Sequence, residues 1–341
     1  MKRFTTLFLL LTVVLTTVAI EAEAQRFTKR KEYSTVGIQL GASNYFGDLV
    51  PQPNFTSMRI KSTRPSVGIN YTHRHFPRIS SRVAFNWNRI AGDDALAAGP
   101  DEGENLGRYR RNLSFRNDIK ELSAVAIIDL FENRNYYRRR PDFVPYGFIG
   151  VAVMHHNPKA YYENGSHPGL AGKTDPVTGQ SLDIPSGWYA LQPLGTEGQF
   201  VDHPGTVSSP YSRVQVAIPF GLGVRYKLDR NWDFSFEVGW RATFTDYLDD
   251  VSTAHVDKNV LLSEGNRVDN RNASVIFSDR SAESGFTNDL ITEPNGFSRL
   301  RPYGTSNNRT RGNSSDNDWY IQTSLGLNYI LNPRVRRPKF R

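Results

Sequence analysis

The chemistry open to this chain is set first by what it lacks. It has seven histidines and no cysteine, so disulfide staples, thiol nucleophiles and thiolate metal ligands are excluded. No histidine falls in a triad or metal-ligand spacing. His155 and His156 are adjacent, and neighbours on a strand point to opposite faces, so they are badly placed to hold one ion and are expected at a solvated rim. Asp246, Asp249 and Asp250, with Asp316 or Asp318, are hard oxygen ligands that suit calcium, though not at EF-hand spacing. Asn-rich loops account for the Asn-x-Ser/Thr sites. A lipid-modifying enzyme would need a serine or histidine nucleophile–base pair at a membrane-facing outer rim. None stands out by position, although such pairs need not be close in sequence. The expectation is no catalytic residue, no cofactor and no resident metal.

The elements that would position any site are strands. Val214 to Tyr247 holds two runs of strict alternation around a polar turn, Lys227 to Asn231. Val216, Ile218, Phe220, Leu222, Val224 and Tyr226 share one face of the first run, against Ala217, Pro219, Gly221, Gly223 and Arg225. Trp232, Phe234, Phe236, Val238, Trp240, Ala242 and Phe244 share a face of the second. This is a hairpin with one apolar face. Each run is long enough to cross a bilayer as a tilted strand, which takes about 9–11 residues. Its apolar face begins and ends in aromatic rings, as in the girdles of outer-membrane barrels.

Composition agrees. Only 38% of residues are hydrophobic and mean hydropathy is −0.51, which excludes a helical membrane protein but not a barrel, where half of each strand is polar. Residues 1–24 read as a secretory signal: Lys2 and Arg3, then the apolar stretch Phe4 to Ile20, then Ala22-Glu23-Ala24 as a cleavage site. Residues 25–341 then form one outer-membrane barrel domain. Further alternating runs lie at Ser34 to Tyr45, Ser66 to His73, Arg82 to Ile90, Phe115 to Leu130 (where alternation is weaker), Pro145 to Met154 and Trp319 to Leu331. With the hairpin they make eight strands. The connections alternate in length, roughly 19, 24, 58 and 70 residues on one side and roughly 5 to 14 on the other. The two longest, Asn157 to Ser212 and Leu248 to Asn317, read as irregular.

The predicted fold class is therefore all-β: an eight-stranded antiparallel transmembrane β-barrel with long extracellular loops and short periplasmic turns. An interior of that width is filled by side chains. Glu121, Arg225, Glu237 and Arg241 should point inward and pair, which argues against a diffusion pore. The topology also sorts the charge. The leader, the three short turns and the tail carry seventeen Lys and Arg against four acids, about +13, leaving about −5 for the rest of the mature chain. Such a one-sided field attracts an anionic partner: inner-leaflet phospholipid, peptidoglycan or an acidic periplasmic protein. Arg138, Arg139, Arg140, Arg336 and Arg337 are the candidate partner-binding residues. Export excludes nucleic acid.

Six ordered motifs carry a resemblance: Gly41 to Asp48, Arg111 to Arg116 with Glu121-Leu122-Ser123, Pro145 to Gly150, Leu191 to Gln199, Ala217 to Gly223 and Thr245 to Val251. Together they resemble the PorG-like outer-membrane barrel proteins of the Bacteroidota, over nearly all the mature chain. The resemblance implies a non-enzymatic part of the type IX secretion machinery, tethering the periplasmic ring of the PorK lipoprotein and PorN to the outer membrane. It supplies no catalytic residues. Alternatives are a lipid-modifying barrel enzyme and a surface-binding barrel that uses its long outer loops.

Overall fold

The computed structural model describes residues 31–49, 61–97 and 106–331, apart from 171, 175–178, 180, 204–205, 207–208, 264, 302 and 304–309. The signal segment, Arg336 and Arg337 lie outside the described residues. Eight long strands form the barrel: β1 (Tyr33–Phe46), β2 (Arg64–Arg74), β3 (Ile79–Asp93), β4 (Ser114–Asp129), β5 (Phe143–His155), β8 (Val214–Lys227), β9 (Trp232–Thr243) and β12 (Trp319–Leu331). Each pairs antiparallel with the next in this order, and β12 returns to pair with β1 from Ser34↔Leu331 to Phe46↔Trp319. The sheet is closed and has no barrel edge.

All eight predicted strands are present, including the hairpin, where Ala217↔Thr243 to Lys227↔Asp233 are in register. β4 alternates without a break over its 16 residues. Its signal is weak in sequence because its inner face carries Phe115, Ile119, Val125 and Ile127, all buried. Both faces are thus partly apolar, and the hydropathy contrast is lost although the geometry is regular.

The outward face is a continuous apolar belt. Ile38, Leu40, Ile69, Val83, Leu122, Val151, Val153, Leu222 and Leu325 are each at least half exposed. A soluble monomer does not expose such a surface, whereas hydrocarbon is its natural solvent. Exposed Phe76, Phe131, Phe143, Tyr226 and Trp232 surround the short-turn end, as an interfacial girdle should.

The two longest connections are not irregular. Residues 156–213 contain β6 (Pro158–Tyr162) and β7 (Gly187–Ala190), a hairpin that continues the barrel sheet beyond β4. Residues 244–318 contain helices Lys258–Leu262 and Arg271–Ser278 and the ladder of β10 (Leu290–Thr292) with β11 (Ser298–Leu300). The longer helix starts at Asn270, whose side chain accepts from Ala273 N at 2.9 Å and satisfies an end donor. These pieces share a core with the outer mouth: Leu170, Ile184, Leu261, Val275, Ile276, Phe277 and Phe297 above, Tyr45, Ile90, Ile119 and Met154 below. The loops are a folded cap.

Candidate functional site: the sealed lumen, the cap junction and the periplasmic rim

The lumen is filled by tiers of charge. Nearest the cap, Arg241 Nε lies 3.3 Å from Glu121 Oε2, which also accepts from Tyr320 Oη at 2.5 Å, and Asn86 donates to Glu121 Oε1 at 3.1 Å. Below, Arg82 pairs with Glu237, and Tyr146 Oη donates to that carboxylate at 2.5 Å. Arg225 Nη2 then meets both oxygens of Asp129 at 2.7 Å. At the periplasmic mouth Arg140 Nε donates to Asp233 Oδ1 at 2.8 Å. Glu121, Arg225, Glu237 and Arg241 all point inward as predicted, and Glu121 and Arg241 pair. The counter-charges Arg82, Asp129 and Asp233 escaped the sequence reading. Arg82 and Asp233 sit on the polar face of an alternating strand, which is the available signal, whereas Asp129 ends the partly apolar inner face of β4. Two voids between tiers have volumes of about 10 and 30 Å³, room for a water or two. Among the described residues neither void has room for a larger solute.

Four outer loops meet in a second polar assembly above the lumen. Arg111 Nε donates to Asp94 Oδ2 at 2.7 Å and its Nη2 to Asp48 O at 2.9 Å, while Nη1 reaches Arg311 O at 2.5 Å. Arg311, 2% exposed, donates to Glu197 Oε1 at 2.9 Å, Ser278 O at 3.2 Å and the Asp250 carbonyl. Glu197 in turn accepts from Ser252 N at 2.9 Å and Thr253 Oγ1 at 2.7 Å. Two buried guanidiniums thus tie Asp48 and Asp94 to Glu197 of one long connection and to Asp250 and Ser278 of the other. Asp48, Arg111, Glu197, Asp249 and Asp250 belong to four of the six recurring motifs. Those motifs, distant in sequence, converge here.

The carboxylates whose oxygens would suit calcium are divided within this junction. Asp249 and Asp318 share one proton donor, Tyr45 Oη, at 2.7 and 2.8 Å. Asp250 instead accepts from Thr196 at 2.5 Å and Tyr211 at 2.7 Å, and Asp316 bonds Asn313 at 3.0 Å in an exposed turn. No group of three or more His, Asp or Glu among the described residues is placed to hold a metal ion. Burial lifts Asp250 to about 6 and Asp246 to about 9, and holds Asp249 and Asp318 well above the carboxylate range. Burial also pushes His156, His167 and His255 down to about 4. His156 is a correction to the solvated-rim expectation: it is fully buried, stacked on Tyr211 at 5.9 Å, while His155 faces outward. The cap, unseen in the sequence, covers it.

At the opposite end Arg138 and Arg139 are exposed, and neither has an acidic partner among the described residues. Arg140 corrects the third partner-binding assignment. It is 5% exposed and donates to the carbonyls of Tyr137, Asp229, Arg230 and Trp232 besides Asp233. It staples two periplasmic turns together and cannot reach a partner. Arg74, 4% exposed and bonded to the carbonyls of Phe76 and Pro77, does the same for another turn. Two serine–histidine contacts also occur: Ser34 Oγ is 2.8 Å from His73 Nδ1, and Ser81 Oγ is 2.7 Å from His75 Nε2. They lie near the periplasmic end of the wall, not at the outer rim.

Residues 5–174 match a domain family described as a domain of unknown function, DUF6089. No curated protein matches. Among solved structures, Neisserial surface protein A is 9% identical with a TM-score of 0.34, covering 87% of this chain and 96% of its own. Ail of Yersinia pestis, in complex with the heparin analogue sucrose octasulfate, is 8% identical with a TM-score of 0.32, covering 88% and 99%. The N-terminal β-barrel domain of Pseudomonas aeruginosa OprF is 8% identical with a TM-score of 0.30, covering 86% and 97%. These likenesses extend to barrel architecture alone.

Proposed function

We propose that this protein is a non-enzymatic barrel of the bacterial outer membrane that anchors periplasmic machinery, as a component or accessory of type IX secretion in contact with the PorK/PorN ring. The observation that carries the reading is the division of labour between the two ends. The lumen is sealed by ion pairs, so transport is a poor role, while Arg138 and Arg139 stand exposed and uncompensated on the periplasmic turn. The motif resemblance supplies the identity of the ring. The test is co-purification from native outer membrane. Reversing charge at Arg138, Arg139, Arg336 and Arg337 should release the ring proteins and stop secretion, with the barrel still folded. Normal binding and secretion by that variant would sink the idea. Arg140→Glu should act differently, by unfolding the periplasmic mouth.

A second reading, a lipid-ester hydrolase, is favoured by one constellation. Ser34 Oγ contacts His73 Nδ1 at 2.8 Å, and His73 Nε2 is 3.8 Å from Glu32 Oε2, on the wall facing inner-leaflet lipid. Ser34 and His73 are a nucleophile–base pair, with the Glu32 carboxylate close by but beyond hydrogen-bond reach. Mass spectrometry of membrane lipids from wild-type and Ser34→Ala cells decides it, because identical profiles remove the enzyme.

A further inference from the structure

The outer ends of the barrel strands are not equivalent. Outward positions of β1, β2, β5, β8, β9 and β12 carry no lysine or arginine. Among the described residues of the barrel sheet and its β6 extension, the outward-facing cations lie on one wall: Arg89 on β3, Arg116 and Lys120 on β4, and Lys159 on β6. Registers place them in order of height. Leu122, level with Phe85 and Val153, belongs to the lipid belt. Lys120, level with Trp87 and His155, comes next. Arg116 then lies directly across from Lys159, and Tyr161 across from Trp188 of β7 above them. From Lys120 to Arg116 the cations climb roughly 13 Å along the strand, starting where the belt ends.

Most of this charge is unspent. Arg89 is neutralised by Asp118 at 2.6 Å. Arg116, Lys120 and Lys159 have no acidic partner among the described residues. The Arg116 guanidinium lies 3.8 Å from the centroid of the Trp188 ring, which holds it beside Lys159.

We propose that this wall binds the phosphate groups of an anionic, phosphorylated glycolipid of the outer leaflet. Arg116 and Lys159 would hold one phosphate from adjacent strands, Lys120 would take a second acidic group at the belt's edge, and the acyl chains would lie along Phe85, Leu122 and Val153. Charge complementarity selects an anion. Continuity with the belt selects a lipid, because the cations and the hydrocarbon-facing residues share one face and meet without a gap. One-sidedness separates this from the general snorkelling of basic residues, which would distribute them around the barrel.

The test uses the full-length protein in nanodiscs of phosphatidylcholine doped with bisphosphorylated lipid A, read by native mass spectrometry. Folding is checked by heat-modifiable gel migration. Wild type should retain lipid A, and Arg116→Glu with Lys159→Glu should lower retention about tenfold or more, the 1.4 kcal/mol or more expected of a charge-assisted contact. Thr323→Glu, outward on the far wall, should leave retention unchanged. If the double-charge variant does not fold, Arg116→Gln with Lys159→Gln should show the same loss. Undiminished retention in either variant overturns the proposal. So does equal retention of dephosphorylated lipid A, full displacement by millimolar inorganic phosphate, or a wild type that self-associates through this wall with no lipid bound.

Discussion

Arg311 is the residue on which the cap turns. It is almost fully buried, and Glu197 and Asp250 face it from two loops, at 2.9 and 3.7 Å. Replacing it by methionine keeps bulk but leaves two acidic groups without a counter-charge, which costs about 3–5 kcal/mol when a buried pair is broken. The expected phenotype of Arg311→Met is selective: rapid protease cleavage within 156–213 and 244–318, with unchanged heat-modifiable migration of the barrel. Equal loss of barrel and cap would show that the junction holds the whole fold. Asp246 gives a pH prediction. Its folded value, about 9, lies far above that of an ordinary aspartate, near 3.9. The folded cap therefore keeps a proton that the unfolded chain releases. Its contribution is full below about pH 4 and is lost as pH rises toward 9. Asp246→Asn removes that loss, so cap proteolysis at pH 8 should slow about tenfold relative to wild type, one pKa unit's worth or more, with no difference at pH 4. The buried histidines act with the opposite sign, withdrawing stability as pH falls from about 6.5 toward 4. Their share cancels because both proteins carry them.

Strands were legible because each obeys one rule over many residues. Period two, with aromatics at the ends, placed all eight strands, and inward Glu121 and Arg241 followed from parity alone. What parity could not give was the partner across the lumen. Arg82 meets Glu237 from a strand on the far side of the barrel, and that pairing depends on closure and stagger rather than on any local pattern. The cap failed to show for a related reason. Its longest helix has 8 residues and its β10 and β11 strands 3 each, too short for a period to emerge. The belt can be tested at this scale. Leu222, 68% exposed on β8, should tolerate methionine, whereas Leu222→Arg should cost about 2–4 kcal/mol near the midplane. Urea titration of folding into bilayers measures this. A cost near zero would place that wall outside hydrocarbon.

At the scale of the whole molecule the barrel is closed twice, and the two closures are independent. The cap covers the outer mouth with an apolar core and the Arg111–Arg311 junction, while the lumen is blocked lower down by the pairs Arg241–Glu121, Arg82–Glu237, Arg225–Asp129 and Arg140–Asp233. Eight strands leave an interior that side chains fill, so the tiers need no help from the cap. Planar-bilayer recording separates the two. Wild type should give no steady conductance. Replacing 158–211 with a short Gly-Ser link, which removes half the cap, should leave the current at baseline because the tiers remain. Adding Arg82→Ala and Glu237→Ala to that shortened chain hollows out the middle tier only, and the current should stay at baseline because Arg241–Glu121, Arg225–Asp129 and Arg140–Asp233 still fill the lumen. The same pair of substitutions beneath an intact cap should stay silent. Steady current from the shortened chain with its tiers intact would mean that the cap is the seal, and the case for an anchoring rather than a conducting barrel would fall with it.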